Sequence, residues 1–142
     1  MSQKLKSLQE FSTLTVSQTI LTINPAGNAL TLSKAQSGEI ITLNSTSGSV
    51  ITLGAPQAGL SYTFLVNVTG GHTITAPSAS IYGSVTSTTD TSGNAMLTTG
   101  AAKSIISTTA GSAVGDQIQL LSDGTNYFVK GSVANFNALT FT

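Results

Sequence analysis

Val50-Ile-Thr-Leu-Gly-Ala-Pro-Gln-Ala-Gly-Leu60-Ser-Tyr-Thr-Phe-Leu-Val-Asn-Val-Thr-Gly70-Gly-His-Thr-Ile-Thr-Ala-Pro77 is the stretch on which the fold turns. Leu60, Tyr62, Phe64, Val66 and Val68 occupy every second position, with Ser61, Thr63 and Asn67 between them. Successive side chains of a strand point to opposite faces, so this alternation makes one apolar and one mostly polar face. Leu65 interrupts the polar face and implies that it is partly covered. Ile51 and Leu53 form a shorter comb upstream. Downstream, Gly70-Gly71 predicts a turn through the freedom of glycine to take positive φ, and His72-Thr-Ile-Thr resumes extended chain. The stretch therefore holds two or three strands joined by tight turns.

Working outward, Ala29-Leu-Thr-Leu32, Ile40-Ile-Thr-Leu43 and Val50-Ile-Thr-Leu53 repeat an apolar-apolar-Thr-Leu pattern about every ten residues, the strand interval of a sandwich or barrel. Ser37-Gly38 and Ser47-Gly48 are turn formers between the copies. A β-solenoid shares this period. The echo stops after three copies, however, whereas a solenoid carries its repeat through the body of the chain, so the sandwich or barrel is preferred. Thr13 to Ile23 is an earlier strand with a bulge near Ser17-Gln18, and Asn24 to Asn28 is a dense turn signal. Downstream, Ser80 to Val85 and Lys103 to Thr109 are strand candidates, and residues 86–102 read as a long exposed loop. Asp116 to Ser122, Asp123-Gly124 and Thr125 to Lys130 form a hairpin. Leu139 and Phe141 alternate in a tail that pairs as a last strand or docks on a partner.

The chain has 142 residues, enough for one domain with a real core. The reading is an all-β protein of eight to ten short strands (a rough count from turn spacing). It is a single antiparallel β-sandwich, jelly-roll or barrel-like domain over residues 13–142, preceded by an N-terminal arm over residues 1–12. Only 7% of residues are charged, against about a quarter in ordinary globular proteins, and the net charge is zero. Five scattered Lys and Arg make no basic patch, which argues against nucleic acid or an anionic membrane as partner. Ser and Thr make up roughly 30% of the chain, and such a weakly charged surface suits a protein held in an assembly. There is no cysteine, no apolar signal core at the start, and no window near the roughly 20 apolar residues that span a bilayer. The glycosylation patterns at Asn44 and Asn67 are expected by chance in so Ser/Thr-rich a chain.

Groups able to do chemistry are sparse. His72 is the single histidine, and nothing nearby in sequence supplies the nucleophile and orienting acid that a catalytic base requires. A solvent-exposed or hydrogen-bonded turn histidine is the plainer reading. Asp90 to Asn94 offers too few carboxylates for calcium and fits an Asx-type turn. Asp116 and Asp123 flank a hairpin strand without forming a carboxylate pair, and Asp-Gly is favoured in turns without any chemistry. The glycines stand singly or as one pair at turns, with no phosphate-binding motif. Tyr62, Tyr82, Tyr127 and the phenylalanines could stack on sugars or bases, but most fall on apolar strand faces where core packing is the simpler role. No catalytic, cofactor-binding or metal-binding residue is therefore assigned, and a non-enzymatic protein without cofactor is expected.

The runs Ser37-Gly-Glu-Ile-Ile-Thr-Leu43, Ile51-Thr-Leu-Gly-Ala-Pro-Gln-Ala-Gly-Leu-Ser-Tyr-Thr-Phe64, Gly70-Gly-His-Thr-Ile-Thr75 and Val114-Gly-Asp-Gln-Ile-Gln-Leu-Leu-Ser-Asp-Gly-Thr-Asn-Tyr127 resemble small structural proteins of tailed bacteriophages. The likeness is greatest to the capsid decoration, or cement, proteins of phages from aquatic bacteria. It covers about residues 29–131, and similar modules occur in tail-fibre and other adhesion proteins. The resemblance implies a sandwich or barrel-like domain, commonly a homotrimer, on the outer capsid surface at three-fold or quasi-three-fold positions, with the major capsid protein and its own copies as partners. It implies a virion protein made in the host cytoplasm. The alternative is a tail-fibre or spike module that binds a host-surface glycan or receptor.

Overall fold

The computed structural model of this protein describes residues 20–23, 29–89, 95–97, 102–107 and 111–142. The arm expected over residues 1–12, the bulge at Ser17-Gln18, the turn at Asn24 to Asn28 and the acidic loop at Asp90 to Asn94 lie outside them.

The fold is all-β. Twelve strands occur among the described residues: β1 (Ile20–Ile23), β2 (Ala29–Leu32), β3 (Ile40–Leu43), β4 (Val50–Leu53), β5 (Ser61–Val66), β6 (Thr73–Thr75), β7 (Ile81–Ser87), β8 (Ala95–Leu97), β9 (Ser104–Ser107), β10 (Gln117–Ser122), β11 (Tyr127–Val133) and β12 (Leu139–Phe141). The three echoed tetrapeptides are β2, β3 and β4. The tail forms a strand, as its alternation allowed. The expected loop over 86–102 is shorter than predicted, because β7 runs to Ser87 and β8 pairs with it antiparallel. Backbone pairing does not need large apolar side chains, so β7 runs on through Thr86 and Ser87, and β8, Ala95-Met96-Leu97, is too short for its apolar residues to stand out in the pattern.

The strands form a seven-stranded sheet, ordered β1-β3-β5-β10-β11-β7-β8, and a five-stranded sheet, ordered β12-β9-β6-β4-β2. Strands β1 to β6 alternate between the two. Each therefore pairs in parallel with the strand two places on: β1 with β3 with β5, and β2 with β4 with β6. The chain coils, each turn adding one strand to each sheet, and Ile20, Ile40 and Thr63 mark one register column through successive turns. This is the solenoid pattern, and it corrects the expected antiparallel arrangement: both sheets are mixed. The ten-residue echo is half a turn, not one leg of a hairpin.

After β6 the direction changes. Antiparallel β9 adds to β6 in the small sheet and antiparallel β10 adds to β5 in the large one, so both parallel stacks end against reversed strands. The β10–β11 hairpin forms as predicted, with Gln119 opposite Lys130 and Ser122 opposite Tyr127. Its turn spans four residues. Asp123 Oδ1 accepts from the backbone N–H groups of Thr125 and Asn126, both at 2.8 Å, and Gly124 takes positive φ. These bonds stabilise the ionised carboxylate and lower the Asp123 pKa.

Both sheets contribute to one core. Leu60, Tyr62, Phe64 and Val66 are buried on one face of β5, as the alternation requires, and Leu65 on the other is half-buried. Stacked turns bring like beside like: Ile41 lies next to Phe64, Leu43 to Val66, and Leu30 to Ile51 to Ile74. Burial of such rows contributes roughly 25 cal/mol per Å² of apolar surface. A stack of this kind is held mainly by contacts between neighbouring turns.

Candidate functional site

Of the residues singled out for chemistry, His72 and Asp116 meet at one corner of the coil, while Asp123 sits in the hairpin turn at the far end of β10. His72 and Asp116 both border a cavity of about 20 Å³ among Leu43, Phe64, Val66 and Ile74. That volume accommodates about one water molecule, far less than a substrate. Both groups are also fully engaged by backbone. His72, 1% exposed, accepts from Ser49 N–H at Nδ1 (3.1 Å), so its proton sits on Nε2 and is donated to the Val68 carbonyl (2.9 Å). The nearby Ser49 hydroxyl makes no hydrogen bond to the ring. With one nitrogen used to accept and the other to donate, the imidazole has no site left to take a serine proton. Asp116 accepts from Ala113 N–H (2.8 Å) through one oxygen and from Ala134 N–H (2.7 Å) through the other. It ties the loop before β10 to the end of β11, and Asn135 adds a bond from its side-chain amide to the Gly111 carbonyl.

The corner also explains the glycine pair. Gly70 and Gly71 do not take positive φ, contrary to expectation. A Cβ on Gly70 would overlap the Ser45 carbonyl oxygen, and one on Gly48 would meet the Gly71 carbonyl oxygen at 2.6 Å. Successive turns of backbone touch here, and only glycine lets them. Asn67 Nδ2 donates to Asn44 Oδ1 (2.9 Å) in the same corner, so the two glycosylation patterns fall on asparagines that bond to each other.

Two of the three tyrosines are buried. Tyr62 donates to the Ser33 carbonyl (2.9 Å) and Tyr127 to the Gly54 carbonyl (3.1 Å). Burial raises both phenol pKa values, that of Tyr127 to about 12 with a smaller contribution from neighbouring Tyr62. Tyr82 differs: it is 38% exposed on the outside of β7, its ring 6.4 Å from that of Phe128, which is 43% exposed on β11. The core-packing role expected for most of the aromatics does not extend to these two, which face outward and lie side by side. Their adjacency follows from the parallel pairing of β7 with β11.

Among the described residues, two outer sheet faces offer exposed side chains in regular rows. The five-stranded sheet presents Thr31, Thr52, Thr75 and Ser104 in one register row, with the Thr75 and Ser104 hydroxyls 3.1 Å apart. Val50, 48% exposed, stands in the adjoining row. No charged residue occurs on the strands of that sheet. The seven-stranded sheet presents Leu121, Phe128 and Tyr82 in one row, then Gln119 and Lys130 in the next. Among the described residues there is no group of three or more metal-ligating side chains.

Compared with known proteins, the chain matches no family model, no curated protein and no solved structure.

Proposed function

We propose that this chain is a non-enzymatic viral structural protein. Many copies, as trimers at three-fold or quasi-three-fold positions, dock on the outer surface of a phage capsid and stabilise the lattice of the major capsid protein. The observation that supports docking is the uncharged hydroxyl face of the five-stranded sheet, with Thr31, Thr52, Thr75 and Ser104 in register. A regular array of hydroxyls and methyls can pair with a neighbouring polar surface without burying unpaired charge. The resemblance to cement proteins supplies the shell as partner and the trimer as oligomer. The two sheets around one core are read as a sandwich-like body in which coiled connections take the place of jelly-roll ones.

The mechanism is passive. A protein that binds only the assembled shell stabilises it by RT ln(1 + [L]/Kd) per site, a few kcal/mol at saturation. A trimer that spans several subunit joints adds avidity. Attachment that relies on hydroxyl contacts and backbone pairing depends weakly on salt. The test is the composition of purified particles: hundreds of copies on the shell, retained at high salt, are expected. A few copies confined to the tail, or release at modest salt from an intact shell, overturns the reading.

A further inference from the structure

The outer face of the seven-stranded sheet has a different chemistry from the face assigned to docking, and it is turned away from it across the shared core. Its first row runs Ser61, Leu121, Phe128, Tyr82 across β5, β10, β11 and β7. Leu121, Phe128 and Tyr82 are 39%, 43% and 38% exposed, a cost in water that no described neighbour relieves. The next row is Thr63, Gln119, Lys130, Ser84, and the third is Leu65, Gln117, Ser132, Thr86. Gln117, Gln119, Lys130 and Ser132 border an open depression of about 400 Å³ beside the aromatic row.

We propose that this surface binds an acidic saccharide, of the uronic-acid type, two or three units long. Three features point to that chemistry. The paired Tyr82 and Phe128 rings offer a platform for the C–H face of a sugar, which is apolar although its rim is not. The amides of Gln117 and Gln119, each both donor and acceptor, suit a rim of hydroxyls. Lys130 is the one charged residue among the described outward positions of β3, β5, β7, β10 and β11, and it makes no ion pair there. A lone ammonium beside amides selects one carboxylate. A nucleic acid needs several cations along its backbone. An apolar peptide needs the apolar row to continue, and it gives way to amides within about 7 Å. From the first row to the third is about 13 Å, which sets the ligand length.

The experiment is calorimetric titration of the full chain with a trimeric uronate oligosaccharide and with a neutral glucan of equal length. Expected are binding of the uronate, weaker binding of the neutral glucan, and a loss of uronate affinity as salt rises. Phe128→Ala and Tyr82→Ala, both at exposed positions, should each weaken binding at least tenfold. Lys130→Gln should abolish the preference for the acidic sugar while leaving circular dichroism and thermal unfolding unchanged. The proposal is overturned if the uronate gives no heat at millimolar concentration, if the neutral glucan binds equally well, or if Phe128→Ala binds like the unaltered chain. Self-association that Phe128→Ala abolishes would assign the patch to a second copy and overturn it too. Saccharide binding and capsid docking are assigned to opposite faces, so failure of the first leaves the second standing.

Discussion

His72 and Ser49 are joined across one turn of the coil: the Ser49 N–H donates to Nδ1 at 3.1 Å, while Nε2–H of the same ring donates to the Val68 carbonyl at 2.9 Å. A side chain that looks catalytic in sequence serves as a bracket between stacked turns. Removing it leaves a buried donor and a buried acceptor unpaired and opens a cavity. His72→Ala should therefore lower stability by about 3 kcal/mol, measured as a shift in the urea midpoint at unchanged slope. A loss below about 1 kcal/mol would mean that the ring's bonds are easily replaced by solvent, and that the corner is looser than described.

The stacking itself can be separated from backbone strain by two glycines with the same φ. Gly38 and Gly48 both take φ of +89°. A Cβ on Gly38 meets nothing within 4 Å, whereas one on Gly48 meets the Gly71 carbonyl oxygen at 2.6 Å. Gly38→Ala should cost about 1 kcal/mol, the ordinary penalty for a left-handed alanine. Gly48→Ala should cost at least about 2 kcal/mol more, or prevent folding. Equal losses in the two variants would show that neighbouring turns do not touch at this corner.

Alkaline stability follows from the buried phenols. Burial holds the Tyr127 pKa near 12, while in the unfolded chain it returns to about 10. The folded state thus keeps a proton that the unfolded state has lost between those values. The contribution is fully present below pH 10 and fades as pH rises through the window. Circular dichroism followed against pH should show unfolding in that range, accompanied by tyrosinate absorbance. Tyr127→Phe should flatten the slope, at the expense of the bond to the Gly54 carbonyl. Full ionisation of every tyrosine with the β spectrum intact would contradict the buried assignment.

What could be read in advance divides along the local and the long-range. The alternation around Tyr62 and Phe64 gave β5 and its buried face, and Asp123-Gly124 located the hairpin turn, because both signals are local. The echo of Ala29, Ile40 and Val50 located three strands but not their partners. Hairpins and half-turns of a coil share a spacing near ten residues, and what separates them is whether a strand pairs with the next one or the one after. Pairing depends on the whole core, so Leu30 beside Ile51 beside Ile74 could not be foreseen from a window. The same holds for the outer faces. Tyr82 and Phe128 are 46 positions apart, and only the parallel register of β7 on β11 makes them neighbours. For His72, the reading of a solvent-exposed or hydrogen-bonded turn residue left burial open; the ring is buried, and its role between turns required knowing that turns exist.

Docking through the hydroxyl face makes a sharp contrast between two exposed substitutions on opposite sides of the molecule. Thr52 is exposed in the middle of the threonine row, with Thr31 on one side and Thr75 on the other. Thr52→Lys leaves the core untouched, so the melting temperature should move little. Against a shell, the new ammonium must be desolvated opposite a surface that evolved no partner for it, at an effective cost of several kcal/mol. Occupancy on purified shells should fall at least tenfold, since about 1.4 kcal/mol already gives that factor. Lys130→Gln, on the far sheet, should leave occupancy unchanged. If instead Thr52→Lys decorates shells fully while Lys130→Gln does not, the aromatic side faces the shell, and the assignments of the two faces must be exchanged.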